Sequence, residues 1–476
     1  MKMRKTKIVC TIGPASESRE MLKKLILAGM HVARLNFSHG TYEAHKKVVL
    51  TIRSLSERLD RPVALLQDLQ GPKIRTGKFE GGSVELKARE EWVVTPRKTV
   101  GKHGIIQVSY PRIAEELTKG QRILLADGDM ELEVMSRKGS DLLCRVITGG
   151  TLGERKGVNL PGIRTVLPSL TKKDKEDLEF GIEMEVDYMA LSFVRSGKDV
   201  RALKRILKSR DANIPVISKI EKPQALEDLE AILDISDGVM VARGDLGVEL
   251  SPEKVPMAQK RIIRMASERN KWIITATQML ESMTEHARPT RAETSDVANA
   301  ILDGTDAVML SGETSVGRYP VGSVRMMDRI ARETEGEFPS GVSTAPSRQR
   351  PATSVPDAIS LAACTAADSL SLKAICAFTR SGFTAGLVSK HRPPVPIVAF
   401  THDPAVQRRL SLCWGVSAKI MPLKKHAEAM VKAMEVQLLR EKLVKKGDQV
   451  AVVAGIPLMI GGIANLLKLH EIGEVT

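Results

Sequence analysis

The sequence predicts an α/β protein built on a parallel (β/α)8 barrel, the TIM-barrel class, with two additions to it. Short apolar, β-branched runs, each followed by a stretch with helical periodicity, begin near Thr6, His31, Val63, Val186, Ile214, Asp237, Lys271 and Asp306. These eight starts are one β-α unit apart except for a gap of 123 residues after the third. Eight such units are the number that closes a parallel barrel, and the long gap predicts an insertion.

The insertion differs in pattern from the barrel around it. Over residues 72–161, short alternating apolar segments are separated by glycines, which is typical of β-hairpins. We therefore expect residues 1–71 and 162–340 to form the barrel, and residues 72–161 to form an inserted all-β domain, a small β-barrel.

A third domain is predicted at the C-terminal end of the chain. Residues 333–356 are rich in Pro, Ser, Gly and Arg, which indicates a linker. A helix over residues 358–370 and strands over residues 374–379, 397–401 and 449–454 then predict an open-sheet α/β domain over residues 356–476.

Composition excludes several classes of protein. The 476 residues are 42% hydrophobic, which excludes a disordered chain, and the longest apolar runs are far shorter than the ~20 residues of a membrane span. No export signal is recognisable, and the five cysteines lack any paired spacing. These features predict no disulfides, no zinc site and a cytoplasmic location.

The formal net charge is +15, from 72 basic and 57 acidic residues. Such a surplus suits nucleic acid, an anionic membrane surface or highly anionic small substrates. An aromatic content of 3% argues against a protein that binds single strands by base stacking. We expect neither a nucleic-acid nor a membrane partner.

Charged or hydroxyl side chains follow seven of the eight predicted strands, at the barrel rim where catalytic groups lie in this fold. For a single strand, the ordinary explanation is that chains become polar on reaching solvent. Here the rim combines Glu221 and Asp245, which are hard oxygen ligands suited to Mg²⁺, with Lys219 and Arg34, which suit a phosphate. The backbone around Gly244 leaves room for an anion, and no phosphate-loop or dinucleotide motif is present.

Seven ordered blocks strongly resemble the pyruvate kinase family, and the resemblance extends over essentially the whole chain. They are KIVCTIGPAS (7–16), ARLNFSHG (33–40), KGVNLPG (156–162), ISKIE (217–221), VARGDLGVE (241–249), ATQMLESM (276–283) and MLSGET (309–314). The resemblance implies phosphoryl transfer from phosphoenolpyruvate to ADP, which gives ATP and pyruvate in the last step of glycolysis.

The resemblance also implies roles for single residues. Glu221 and Asp245 would hold Mg²⁺ or Mn²⁺, Lys219 and Arg34 would face the phosphoryl group, and Gly244, Asp245 and Thr277 would hold the substrate carboxylate. Protonation of the enolate at carbon is expected to pass through Thr277, with Ser311 and water on the path, and the final donor stays open. Pro14, Arg75 and Lys156 are expected to contact the nucleotide, with the insert acting as a lid.

Two positions depart from the common family pattern. Many members need K⁺, held at positions matching Asn36, Ser38, Asp68 and a following threonine, which is Leu69 here; a nearby glutamate is Lys73 here. An ammonium at Lys73 would supply the charge that K⁺ otherwise brings, as the resemblance to the lysine-bearing branch of the family also suggests. We therefore expect activity without K⁺, and the alternative is a solvated surface lysine.

The C-terminal domain carries a short polar turn between a strand and a helix. The turn resembles the family's effector phosphate loop and would bind a sugar phosphate or AMP through Thr379, Arg380, Ser381, Gly382 and Thr384. A plain β-α turn is the alternative. The resemblance further implies a homotetramer.

Two other functions compete with this interpretation. Another barrel enzyme that uses phosphoenolpyruvate or forms an enolate could carry the same rim, but it would need no lid for ADP. A basic nucleic-acid-binding protein without enzymatic activity would show a salt-sensitive gel shift.

Overall fold

The computed structural model describes residues 4–337, 351–424, 426–456 and 463–474. The chain begins with three barrel strands, β1 (Lys7–Ile12), β2 (Val32–Asn36) and β3 (Ala64–Asp68), alternating with helices α1 (Arg19–Ala28) and α2 (Tyr42–Arg58). The side chains of Ser18 and Thr41 cap the two helices by accepting hydrogen bonds from the backbone one turn on.

The insert follows β3 and consists mainly of β-strands. Its strands are β4 (Ser83–Leu86), β5 (Glu91–Thr95), β6 (Ile105–Gln107), β7 (Arg122–Leu125), β8 (Met130–Lys138), β9 (Asp141–Thr148), β10 (Gly150–Gly153) and β11 (Val158–Asn159), with one short helix, α3 (Ile113–Glu116). They pair into a six-stranded sheet, in the order β11-β7-β8-β9-β5-β6, and a two-stranded sheet of β10 and β4. A separate apolar core that includes Trp92 and Tyr110 supports these sheets.

Five further strands complete the barrel after the insert: β12 (Tyr188–Leu191), β13 (Val216–Ile220), β14 (Gly238–Ala242), β15 (Trp272–Ala276) and β16 (Ala307–Leu310). The helices are α4 (Lys172–Glu183), α5 (Gly197–Ser209), α6 (Pro223–Glu227), α7 (Leu229–Ile235), α8 (Arg243–Glu249), α9 (Val255–Glu268), α10 (Arg291–Leu302), α11 (Gly312–Ser315) and α12 (Pro320–Gly336). All eight strands close in the order β1-β16-β15-β14-β13-β12-β3-β2. The predicted eight-stranded parallel barrel is thus confirmed, and every strand begins within two residues of its predicted start.

Alternate residues of the barrel strands fill its interior, as the two-residue period of a strand requires. Val9, Ala64, Ile217 and Met309 belong to this inner cluster, whereas their sequence neighbours pack against the surrounding helices. Leu412, from the C-terminal domain, joins the inner cluster. The C-terminal domain therefore closes the end of the barrel opposite the predicted polar rim.

The C-terminal domain is the predicted open sheet. It contains α13 (Val355–Ser369), β17 (Ala374–Phe378), α14 (Phe383–Lys390), β18 (Ile397–Thr401), α15 (Pro404–Arg409), β19 (Val416–Ile420), α16 (Ala427–Arg440), β20 (Gln449–Ala454) and β21 (Leu466–Glu471). The sheet order is β19-β18-β17-β20-β21, and only β21 runs antiparallel to its neighbour.

The predicted linker begins too early. Helix α12 continues to Gly336, so the first four residues of the linker expected at 333–356 are helical, and α13 starts at Val355, so helical structure covers both edges of the linker segment. The expected barrel boundary at residue 340 lies outside the described residues. Among the residues that the structure describes, no helix has both the length and the apolar character needed to cross a lipid bilayer.

Candidate active site

Lys219 lies at the centre of a charged cluster at the C-terminal end of β13. Its Nζ lies 2.9 Å from Glu221 Oε1 and 3.3 Å from Asp68 Oδ1, and it donates a hydrogen bond of 2.8 Å to Ser192 Oγ. Only 11% of the Lys219 side chain is exposed. The ammonium is therefore held in one place by three oxygen atoms from three strand ends.

Arg34 reaches the same cluster from β2. Its guanidinium approaches Asp68 Oδ2 through Nε and Nη2, both at 2.7 Å, and its Nη1 donates to Thr11 Oγ1 at 3.0 Å. Asp68 thus joins Arg34 to Lys219. The two cations predicted to face a phosphate are brought to one wall of the barrel mouth.

The charges alter the protonation equilibria of this cluster. Burial alone would lower the pKa of Lys219, but Asp68 and Glu221 raise it above its ordinary value. Burial opposes ionisation of Asp68, yet Lys219 and Arg34 bring its pKa below the ordinary value. Both groups are consequently charged at neutral pH.

Glu221 and Asp245 form a pair of carboxylates that fits a divalent cation. Glu221 follows β13, and its Oε2 accepts a hydrogen bond of 2.7 Å from the Phe193 backbone N–H. Burial raises the pKa of Glu221, and Lys219 lowers it. The negative charge of Asp245, in the first turn of α8, raises it further. Mutually repelling carboxylates are the donor set that Mg²⁺ prefers. In the described part of the chain, no group of three or more His, Cys, Asp and Glu residues could hold a metal ion, so other ligands would have to come from substrate and water.

Thr277 lies directly after β15 in a turn with unusual backbone geometry. The φ angles of Thr277 and Gln278 are 66° and 53°, a region that residues with side chains seldom adopt. Thr277 Oγ1 accepts a hydrogen bond of 2.7 Å from the Gly244 backbone N–H. This hydrogen bond joins the turn after β15 to the start of α8.

Ser311 follows the neighbouring strand β16. Its hydroxyl oxygen is buried and has no hydrogen-bond partner within the described protein atoms, while its backbone N–H donates to Glu313 Oε2 at 2.6 Å. Burial raises the pKa of Glu313, whereas its backbone hydrogen bonds lower it. An unsatisfied buried hydroxyl at this rim is suited to a water or a substrate atom.

Of the predicted nucleotide residues, Pro14 belongs to the barrel, and Arg75 and Lys156 lie where the insert joins it. Arg75 and Gly157 pair as an isolated antiparallel bridge where the chain enters and leaves the insert, and Arg75 Nη1 donates to Arg155 O at 3.0 Å. Lys156 is exposed beside this bridge, and Pro14 is exposed after β1. The two basic residues thus share one edge of the insert.

The segments that connect the insert to the barrel also contact the barrel. Asn159 Nδ2 donates to Glu249 Oε1 at 2.9 Å, and Lys222 Nζ lies 2.5 Å from the same oxygen. A cleft lies between the two domains here and is lined partly by Lys73 and Phe193. The insert is therefore fastened to α8, the helix that carries Asp245 in its first turn.

The predicted potassium positions form no carboxylate cluster. Asn36 Oδ1 accepts from the Ser38 backbone N–H at 3.2 Å, and Asp68 is already bound by two cations. Leu69 is buried in the barrel core. Lys73 is partly exposed, and its Nζ lies 3.6 Å from Asp127 Oδ1.

The structure adds groups to which the sequence analysis gave no role. Thr11 and Ser192 bind the two site cations, and Glu313 binds two site loops. The pKa of His39 is lowered by burial and then by Arg75, Lys73 and Arg34, which shows that positive charge converges there. Polar residues at strand ends were the available signal for Ser192 and His39; nothing local marked Thr11.

The expected effector loop lies in the C-terminal domain, between β17 and α14. Thr379 Oγ1 accepts a hydrogen bond of 2.9 Å from the Gly382 backbone N–H, and Gly382 adopts φ 90°. Arg380 and Ser381 are exposed, whereas Thr384 is buried in the first turn of α14. The loop is a compact turn with two polar side chains facing solvent.

A closed parallel barrel with buried cations beside paired carboxylates at its C-terminal rim is the kind of enzyme site that suits an anionic substrate. Profiles described as "Pyruvate kinase, barrel domain" and "Pyruvate kinase, alpha/beta domain" match residues 3–324 and 357–470. The chain belongs to the pyruvate kinase family, whose members are phosphotransferases.

Individual relatives agree with the profiles over nearly the full chain. A pyruvate kinase of Staphylococcus aureus is 45% identical over 99% of this chain and 81% of its own length. One of Mycobacterium tuberculosis is 44% identical over 99% of both chains. The crystal structure of a pyruvate kinase from Cryptosporidium parvum superimposes with a TM-score of 0.92 at 38% identity, covering 98% of this chain and 96% of the other.

Proposed function

We propose that this chain transfers the phosphoryl group of phosphoenolpyruvate to ADP, giving ATP and pyruvate, and that it needs Mg²⁺ or Mn²⁺. The observation that carries the proposal is the fixed ammonium of Lys219, held by Asp68, Ser192 and Glu221 beside a second carboxylate, Asp245. A phosphoryl group in transfer is stabilised mainly by positioned positive charge. The family assignment supports the same reaction.

The roles of the residues follow from their positions. Lys219 and Arg34 stabilise the negative charge of the transferring group and hold it in line with the attacking oxygen of ADP. Glu221 and Asp245 would hold the divalent ion, which when bound neutralises charge on the phosphoryl and enolate oxygens. Thr277 and the Gly244 backbone orient the substrate carboxylate. After transfer, carbon 3 of the enolate takes up a proton along a path on which Thr277, Ser311 and water lie.

A coupled assay tests the proposal directly. Pyruvate should form from phosphoenolpyruvate only when both ADP and Mg²⁺ or Mn²⁺ are present, with one ATP per pyruvate. Pyruvate formation that is independent of ADP would favour another phosphoenolpyruvate-using barrel enzyme and contradict the proposal.

We also propose that the enzyme does not need K⁺. Arg34 and Lys219 already neutralise Asp68, Leu69 offers a buried apolar side chain, and Lys73 adds a cation near His39. Turnover in a potassium-free tetramethylammonium buffer should rise less than two-fold on adding KCl. The Leu69→Thr/Lys73→Glu double variant should gain a clear K⁺ requirement. A strong K⁺ activation of the unaltered enzyme would contradict this proposal.

From its membership of the family, we also propose that the enzyme is regulated by an effector, forms a homotetramer and is cytoplasmic. The exposed Arg380 and Ser381 offer donors to a sugar phosphate or AMP, and a homotetramer is proposed from the family alone. A cytoplasmic location fits the cysteines, all five of which are buried thiols. Binding measured with Arg380→Ala as control, and mass measured by sedimentation, test the first two proposals.

A further inference from the structure

The turn that presents Thr277 needs external support. Thr277 and Gln278 both have positive φ, a conformation that is unfavourable for a residue with a side chain. It persists only where the surrounding structure holds it in place. The surroundings of this turn therefore decide where the Thr277 hydroxyl lies.

Glu313 supports the turn from the side of β16. Its carboxylate is completely buried; Oε1 accepts a hydrogen bond of 3.0 Å from the Leu280 backbone N–H, and Oε2 accepts one of 2.6 Å from the Ser311 backbone N–H. One oxygen thus binds the loop of Thr277, and the other binds the residue Ser311 itself. The carboxylate fixes the distance between the two loops.

Arg243 supports the same turn from the side of β14. Its Nη2 donates to Thr277 O at 2.8 Å and to Gln278 O at 3.0 Å, and its Nη1 donates to Asp296 Oδ2 at 2.6 Å. The guanidinium is buried and is anchored by Asp296 on α10. It binds the carbonyl groups of both residues that have positive φ.

We propose that Glu313 and Arg243 are positioning residues that hold Thr277 and Ser311 in the geometry needed to protonate the enolate. The inference rests on the proposed function, because it assigns Thr277 and Ser311 to that proton path. Neither residue need touch the substrate. Each acts by fixing a loop whose backbone would otherwise relax.

The chemistry of the contacts makes conservative substitutions informative. A glutamine at position 313 keeps one acceptor oxygen but turns an N–H group towards the second backbone N–H, so one loop loses its partner. A lysine at position 243 keeps the charge but lacks the planar fork that binds two carbonyl groups and Asp296 at once. Both variants preserve size and approximate polarity.

The test compares Glu313→Gln with Asp306→Asn. Asp306 is a buried carboxylate that accepts a hydrogen bond from the Ile273 backbone N–H at 2.8 Å, at the opposite end of the same two strands. For each variant, we would measure the exchange of pyruvate methyl protons with deuterated water, kcat, the KM for ADP, and the melting temperature.

Glu313→Gln should slow proton exchange and kcat about 100-fold, the scale expected for a displacement of ~1 Å in an active site, with little change in the KM for ADP. Asp306→Asn should lower the melting temperature with exchange within about three-fold of the unaltered enzyme. Arg243→Lys should show the same pattern as Glu313→Gln and serves as the second variant if Glu313→Gln does not fold.

The inference is overturned if folded Glu313→Gln and Arg243→Lys exchange protons at the normal rate, or if their losses only follow their melting temperatures as in Asp306→Asn. Failure of the proposed function is a different result, since the unaltered enzyme would then make no pyruvate from phosphoenolpyruvate and ADP.

Discussion

The two ends of the barrel both bury charged residues, but they pair them differently. At the N-terminal ends of the strands, Asp187 Oδ1 lies 2.9 Å from Arg408 Nε and its Oδ2 lies 2.9 Å from Arg53 Nη1, while Leu65 N–H donates to Oδ2 as well. Asp306 is likewise paired with Lys390 and Arg392. Every carboxylate named here has at least one cation from the C-terminal domain, so these charges fasten one domain to the other.

At the C-terminal rim, the carboxylates and the cations are matched less evenly. Asp68 is paired with Arg34 and Lys219, but Glu221 has to share Lys219 with Asp68, and burial together with the charge of Asp245 raises the pKa of Glu221. A stabilising arrangement would match each carboxylate with a cation, as the other end does. The unmatched pair at the rim is consistent with the proposed function, in which a divalent ion would complete the charge balance.

The largest expected effect comes from removing the central cation of the rim. Lys219→Met should lower kcat by about 10³-fold or more, because positive charge aimed at a transferring phosphoryl group is worth that much in comparable sites. Lys222→Met, three residues along the chain, is the matched control, since Lys222 pairs with Glu249. Steady-state assays of both variants, with circular dichroism as a check of folding, would decide. A loss in Lys219→Met no greater than that in Lys222→Met would mean that the rim charges are structural, like those of the other end.

The sequence predicted the rim better than the opposite end, for a physical reason. Lys219, Glu221 and Asp245 lie at or just after the C-terminal ends of apolar strands, so a local pattern combined with the geometry of a parallel barrel places them together. The pair of Asp187 with Arg408 joins residues 221 positions apart, and no local pattern marks it. The positive φ angles at Thr277 and Gln278 were equally hidden, because neither residue type indicates that conformation. The start of the linker was predicted too early because the residues around Glu333 are polar, although they form the last turn of α12.

The second effect concerns the insert above the rim. Lys156→Ala should raise the KM for ADP about ten-fold or more and change the KM for phosphoenolpyruvate less than about two-fold, because Lys156 is exposed where the insert returns to the barrel and is proposed to bind the nucleotide. Lys138→Ala, an exposed lysine on the same insert, should leave both constants unchanged. Equal losses for the two substrates would contradict the assignment of the insert as a lid for the nucleotide.

A carboxylate at the opposite end should affect stability rather than chemistry. Asp187→Asn weakens the contacts to Arg53 and Arg408 and should cost about 3 kcal/mol or more, as breaking buried ion pairs commonly does. We expect a melting temperature lower by several degrees and a kcat within about two-fold at 25 °C. Thermal denaturation and initial rates measured on the same sample separate the two quantities. A large fall in kcat without a fall in melting temperature would mean that the charges at this end serve the reaction, as those at the rim do.

The smallest effect is a pH dependence at the end of the barrel that faces the C-terminal domain. Lys7 is buried there, and its Nζ donates to Val416 O at 2.7 Å. Burial, and then Arg4, lower its pKa to about 8 from an ordinary 10.5, while Cys413 and Glu335 oppose this. The folded protein therefore releases this proton more readily than the unfolded chain, so the cost of burying the charge is fully present below pH 8 and disappears as the pH rises from 8 to 10.5. Relative to Lys7→Met, the unaltered protein should gain up to about 3 kcal/mol over that range, at ~1.4 kcal/mol per pKa unit. Urea denaturation of both proteins at several pH values measures the difference, in which other titrating groups largely cancel. If the stabilities of the two proteins change with pH in parallel, Lys7 keeps an ordinary pKa. The buried charge of Lys7 would then be better compensated than its hydrogen bond to the Val416 carbonyl group indicates.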